Sequence, residues 1–245
     1  MKSTNHVILI TGGATGIGLA LAEAFLRENN TVIICGRRED RLAEAKAKFP
    51  NLHTRVCDVS QAQDREELSS WLNEEFPNLN ILINNAGIQQ MLSFAGEPIA
   101  LADIERELTT NVTAPIHLTT LLLPLLRQQS EAAILNVSSG LAFTPLAAVP
   151  VYCATKAALH SFTLSLRYQL RDTSVNVFEI VPPIVNTELG GSGRDERGQQ
   201  DRGIPPVDVA DATLAGLQAD QFEILIGMAQ NLYNQREKLF PMLNR

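Results

Sequence analysis

The fold is decided near the amino end by Val7-Ile8-Leu9-Ile10-Thr11-Gly12-Gly13-Ala14-Thr15-Gly16-Ile17-Gly18. A short β-branched run stops at a glycine pair, and the apolar period then changes. Ile17, Ala20, Leu21, Ala24 and Phe25 recur at i, i+3, i+4, i+7 and i+8, which is one face of a helix. A second apolar run follows at 31–35, so the unit reads strand, glycine turn, helix, strand. Within it Gly12 can take the tight turn, Gly16 lets the backbone approach a ligand, and Gly18 lets helix and strand pack closely. The helix start, with Thr15 and Ile17, adds N–H donors and the positive end of a dipole, a setting for phosphate. The spacing is G-x-x-x-G-x-G rather than G-x-G-x-x-G, and with no Gly-Lys-Ser/Thr following it is not a P-loop.

Outward from this unit, β-branched runs alternate with segments of helical period. Strands are predicted over 7–11, 31–35, 52–57, 81–83, 132–137, 175–181 and 222–226, and most are apolar throughout, as when both faces are covered. Helices are predicted over 39–49, 61–76, 100–129, 151–171, 207–219 and 229–239. The pattern predicts an α/β protein: a Rossmann-type, doubly wound, seven-stranded parallel sheet with helices on both faces, as a single domain over 1–245.

A chain of 245 residues, 45% apolar, has a core without disulfide or metal staples. Its net charge of −7 argues against a partner that demands a broad basic face, so neither nucleic acid nor an anionic membrane is expected. Cys35, Cys57 and Cys153 form no C-x-x-C pair and have no His at zinc spacing, which predicts reduced structural thiols and no metal. The apolar run at 7–10 is too short for a signal-peptide core, and 116–126 falls short of the ~20 residues of a membrane span. A soluble, cytoplasmic protein is the expectation. Segment 187–204 holds five of the 15 glycines and almost no apolar residues. It reads as a mobile loop over a site, with plain surface disorder as the alternative.

The end of the second strand distinguishes two dinucleotides. A carboxylate there would bond a free ribose 2′-OH, whereas a 2′-phosphate needs a cation. Here the strand ends Cys35-Gly36-Arg37-Arg38, with Gly36 where the carboxylate would stand and Arg37 able to fork onto a phosphate. This favours NADP(H), with NAD(H) still open because Glu39 and Asp40 follow at once.

Tyr152 and Lys156 lie four apart on a predicted helix and share a face. An ammonium about 4 Å from a phenol, at an effective dielectric near 20, is worth ~4 kcal/mol, or roughly three pKa units. That brings a tyrosine towards neutrality, where acid-base catalysis works best. In order along the chain stand Thr11-Gly12-x-x-x-Gly16-x-Gly18, Asn84-Asn85-Ala86-Gly87, Asn111, Ser139 and Tyr152-x-x-x-Lys156. The joint set resembles the short-chain dehydrogenase/reductase superfamily in its compact form, over nearly the whole chain. VIICGR, HTRVCDV and VYCATKAALHSF resemble its DltE-type oxidoreductases.

The resemblance implies an NAD(P)-dependent oxidoreductase acting on a carbonyl/alcohol pair. Tyr152 would exchange a proton with the substrate oxygen while hydride moves to or from nicotinamide. Lys156 would lower the tyrosine pKa and bond the ribose, Ser139 (rather than Ser138) would bond the substrate oxygen, and Asn111 would hold a water leading to Lys156. Asp58 and Val59 match positions that contact adenine, and Asn84, Asn85, Ala86 and Gly87 match the turn beneath the ribose and diphosphate. Asn84 to Gly87 also read as a turn that stabilises the sheet. Pro182, Val185 and Thr187 match the nicotinamide-side segment. Pro183 replaces that segment's usual glycine and removes an N–H.

Gln89, Gln90, Leu141, Phe143 and Pro183 are expected to line the substrate site, with no charged anchor. A homodimer or homotetramer is expected because 118–126 is apolar around most of its circumference and the family pairs this helix with that of Tyr152. Burial against its own sheet is the alternative. Two other functions are weighed. A dinucleotide-binding sensor or scaffold without turnover would not need the acid-base set. A sugar-nucleotide epimerase or dehydratase would carry a further substrate domain.

Overall fold

A computed structural model describes residues 1–96, 98–190 and 203–244. Its strands are β1 (Val7–Thr11), β2 (Thr31–Gly36), β3 (His53–Val56), β4 (Ile81–Asn84), β5 (Ala132–Val137), β6 (Val175–Val181) and β7 (Glu223–Leu225). They form one sheet in the order β3-β2-β1-β4-β5-β6-β7, and every pairing is parallel. All seven predicted strands are present. Alternation along them feeds two cores: Ile8, Ile10, Val32 and Ile34 pack on one face, and Leu9, Ile33, Leu82 and Ile134 on the other.

The first face is covered by α1 (Gly16–Arg27), α2 (Glu39–Lys48) and α7 (Pro206–Gln218), through Leu21, Phe25, Leu42 and Leu217. The second is covered by α3 (Ala62–Glu75), α5 (Ala114–Leu126) and α6 (Pro150–Leu170), through Leu68, Leu72, Leu118, Leu122 and Leu166. The apolar face of α5 is thus spent largely on its own sheet.

The helix predicted over 100–129 is not continuous. α4 (Leu101–Leu108) passes into a π-helical turn, Thr109–Thr113, before α5 begins. Pro115 follows two residues on and has no N–H to return to Asn111 O, so the regular ladder is interrupted here, and Asn111 makes tertiary bonds at the same place. The helix predicted over 229–239 is α8 (Met228–Gln235) followed by a 3-10 turn, Arg236–Leu239, and a short α9 (Phe240–Leu243). Arg236 has φ of 49°, and its left-handed backbone ends the α-helix there.

Because every strand is parallel, all carboxyl ends lie along one edge. The sheet order reverses between β1 and β4, which opens a crevice there. Of segment 187–204, residues 191–202 lie outside the described residues, and the loop expectation falls mostly on them. The two flanks are joined by the bridge Val185 to Ile204, with Asn186 N donating to Ile204 O at 2.9 Å. Among the described residues no helix is long and apolar enough to cross a membrane.

Candidate active site

The glycine turn is fixed by the chain on either side. Gly12 (φ 62°) and Gly16 (φ 56°) sit in the left-handed region. A Cβ on Gly12 would meet Ala86 Cα at 2.9 Å, and one on Gly18 would meet Gly12 O at 2.3 Å. Gly18 therefore serves contact with the turn itself. Gly13, which spacing did not single out, lies so close that a Cβ would meet Ile34 Cγ2 at 2.4 Å.

Thr11 Oγ1 accepts from the N–H groups of Asn85 and Ala86, both at 3.0 Å. Asn85 Nδ2 donates back to Thr11 O and Gly12 O at 2.9 and 3.0 Å. The turns after β1 and β4 are thus one unit across the crevice. Asn84 is different: its Nδ2 donates to Asn136 Oδ1 at 2.8 Å, inside the sheet, and the residue is buried. Of the two readings of Asn84 to Gly87, the sheet-stabilising one describes Asn84.

Thr15 precedes α1 without its side chain capping the helix, which leaves the first backbone N–H groups to face the crevice. Arg38 donates from one guanidinium nitrogen to Thr15 Oγ1 at 3.2 Å and from the other to Glu188 Oε2 at 2.9 Å. Arg41 adds a second contact to Glu188 at 3.6 Å. Arg38, more than Arg37, therefore leans over the glycine turn, and a carboxylate from the segment after β6 reaches it across the crevice. Both ends of that ion pair are exposed, so it contributes little to stability. Asp58 Oδ1 accepts from Ser60 N and Oγ, shaping the turn after β3, and Val59 is buried beside it.

At the crevice's other end, Ser139, Tyr152 and Lys156 come together from β5 and α6, each less than a tenth exposed. Ser138 bonds back to β6 through Ile180 O, whereas Ser139 caps the short turn Gly140–Ala142, its Oγ accepting from Leu141 N at 3.1 Å. Lys156 Nζ donates to Val137 O at 2.8 Å and lies 5.6 Å from the centre of the Tyr152 ring. Burial pulls the Lys156 pKa down to about 8, partly countered by the carboxylates of Glu179 and Glu107.

A Cβ on Gly87 would lie 3.6 Å from Lys156 Nζ and 3.4 Å from Asn111 Oδ1. Asn111 Oδ1 accepts from Ile88 N at 2.9 Å, while its Nδ2 donates to Ile88 O at 2.8 Å and to Thr155 Oγ1 at 3.1 Å. Both amide donors are taken by these bonds, so the side chain braces the segment after β4 against α6. Those three bonds anchor the π turn.

Val149, Tyr152 and Cys153 form a small apolar cluster to which Leu141, Leu146 and Leu189 add their side chains. Leu189 thereby brings the segment after β6 onto the tyrosine, and Thr187 lies beside Gly16, where a Cβ would approach it at 3.0 Å. Phe143, expected to line the site, sits in a small core cluster. It is buried with Val181 and Ala229 and stacks edge-on with His160 and Tyr233. Gln90 is tied to α4, its Nε2 donating to Asp103 O at 2.9 Å.

Sequence spacing gave no sign of two groups. Glu107, on α4, is fully buried, its Oε1 accepting from Gln90 N at 3.2 Å. Glu179, on β6, is also fully buried and lies 2.7 Å from His160 Nδ1. Isolated acidic residues in helix and strand patterns read as solvated, and only the packing shows otherwise. Cys35, Cys57 and Cys153 are free thiols and buried.

The family model for short chain dehydrogenases matches residues 6–198. The uncharacterized oxidoreductase DltE of Bacillus subtilis is 50% identical over 248 residues, covering 100% of this chain and 98% of that protein. The NADP-dependent 3-hydroxy acid dehydrogenase YdfG of Escherichia coli K12 is 33% identical over 215 residues, 84% of this chain and 86% of that one. Among solved structures, a short chain dehydrogenase/reductase from Burkholderia phymatum in complex with NAD superposes with a TM-score of 0.88 at 22% identity, covering 100% of this chain and 97% of that chain.

Proposed function

The chain belongs to the short-chain dehydrogenase family and is an oxidoreductase of CH–OH/C=O groups, and from that premise we propose an NADP-preferring, single-domain enzyme in which Tyr152 is the general acid-base. The observation that carries the reading is the buried Lys156 ammonium, held by Val137 O beside the Tyr152 ring.

The residues present fit a nicotinamide dinucleotide. Two left-handed glycines and the uncapped start of α1 turn backbone N–H groups towards the crevice, and the close packing of Gly12 on Ala86 and of Gly18 on Gly12 O fixes that turn. When bound, the dinucleotide supplies or accepts hydride. Backbone N–H groups at Thr15, Gly16 and Ile17 would meet the diphosphate, and Arg38 with Arg37 the 2′-phosphate. Asp58 and Val59 would lie towards adenine, Asn85 to Gly87 beneath the ribose, and Pro182, Val185 and Thr187 towards nicotinamide. The NADP-dependence in the name of YdfG supports the cofactor choice.

Ser139 Oγ and the Tyr152 hydroxyl hold the carbonyl oxygen of the substrate. Charge growing on that oxygen draws the phenolic proton, and Lys156 stabilises the phenolate left behind. Above about pH 8 the ammonium neutralises, Tyr152 becomes a weaker acid, and reduction slows. Asn111 acts by bracing the wall beside Lys156.

A carbonyl panel read by NADPH absorbance, with the 3-hydroxy acid couple as one arm, tests the reading. Tyr152→Phe should lower kcat by at least about 100-fold with NADPH binding unchanged. Tight NADPH binding with no wild-type turnover across the panel would instead favour a dinucleotide sensor.

A further inference from the structure

Two fully buried carboxylates, Glu179 on β6 and Glu107 on α4, stand on elements packed against α6, which carries Lys156, and the chemistry above uses neither. Glu179 has a partner in His160. Glu107 has no cationic contact: Oε1 receives only the Gln90 N–H, and Oε2 has no hydrogen-bond partner among the described residues. Glu107 stands one helical turn before Asn111, at the point where α4 opens into the π turn. A structural brace for Gln90 needs only a neutral acceptor, which glutamine would supply without placing a carboxyl out of water.

We propose that Glu107 is a positioning residue of the proton relay, whose buried carboxyl adds to that of Glu179 in holding the charge on Lys156 and, through it, tunes Tyr152. The proposal rests on the Tyr152 and Lys156 reading above. The groups facing Glu107 are Lys156 and Cys153 from α6 and the Gln90 N–H from the segment after β4; Asp103 on its own helix is turned to Arg106 at 2.7 Å. Beyond Lys156 stands Glu179 on β6. Burial raises the Glu107 pKa to about 7, so the carboxyl is neutral below that pH and anionic above it. Its anion supports the ammonium in the range just above neutrality, where burial alone would let Lys156 lose its proton.

The test is NMR titration of protein labelled at lysine 13Cε. Five lysines are present, and Lys156 is identified by loss of its signal in Lys156→Arg. In the wild type the Lys156 signal should titrate near pH 8, with a smaller inflection near 7 as Glu107 ionises. Glu107→Gln keeps the acceptor for Gln90. It should remove the inflection and lower the Lys156 midpoint by about half a unit or more. The basic limb of kcat/KM for carbonyl reduction should shift to lower pH with it. NADPH affinity and melting temperature report folding.

An unmoved midpoint overturns the proposal. If the variant does not fold, a wild-type signal lacking the inflection overturns it just as well. Tyr152→Phe keeps the two ideas apart. Full activity in that variant would remove the relay itself. An inactive Tyr152→Phe beside an unmoved Lys156 midpoint would remove only the role of Glu107.

Discussion

At the scale of the residue, the two arginines after β2 show what neighbours add to a motif. As sequence they are equivalent, and the first stands where a 2′-phosphate is expected. In the fold Arg37 is exposed, whereas Arg38 lies over Thr15 and holds Glu188. Arg38→Ala should therefore raise the KM for NADPH by roughly ten- to a hundredfold, the worth of a charge-assisted hydrogen bond, and leave that for NADH nearly unchanged. Steady-state titration of both cofactors measures this, and an equal loss for the two would reject a 2′-phosphate role. Arg37→Ala should have the smaller effect. Tyr152 and Lys156 were legible because i, i+4 spacing on a helix fixes a shared face. Glu107 was not, because burial of a lone carboxylate is a property of its surroundings.

At the scale of the element, the glycine turn divides into positions that admit a side chain and positions that do not. On Gly36 an added Cβ meets nothing within 4 Å, while on Gly18 it would meet backbone at 2.3 Å. Gly36→Ala should thus stay within about 0.5 kcal/mol of wild type. Gly18→Ala should cost about 1–3 kcal/mol and weaken dinucleotide binding, because the atoms in its way are those of the turn. Urea melts of the two variants give the comparison, and equal midpoints would mean that the turn yields. The strands were all legible, the inner ones because coverage on both faces writes them as continuous apolar runs. The π turn was missed although Pro115 removes the N–H that would bond Asn111 O, and it is anchored by three bonds from Asn111 to Ile88 and Thr155, residues 23 and 44 positions away.

At the scale of the molecule, α5 spends its leucines on the sheet, which answers part of the case for assembly. Leu108, Leu164 and Tyr168 remain open on α4 and α6, with exposures of 42%, 41% and 68%. Pairing of those helices across a two-fold axis would cover them, and we expect a dimer or tetramer in sedimentation at micromolar concentration. A monomer there would contradict the expectation. The segment after β6 ties the two ends of the crevice together, with Glu188 at Arg38, Thr187 at Gly16 and Leu189 at the tyrosine cluster.

The sequence by itself determined the seven-stranded parallel sheet, the glycine turn after its first strand, and the residues on which the family resemblance rests. Those features are written locally, as period, glycine spacing and an i, i+4 pair. Only the tertiary structure decided which arginine overlies the turn, that Phe143 belongs to the core, and that Glu107 and Glu179 are buried. Each of these depends on desolvation or on a hydrogen bond between segments far apart in the chain, and neither leaves a pattern in the order of residues.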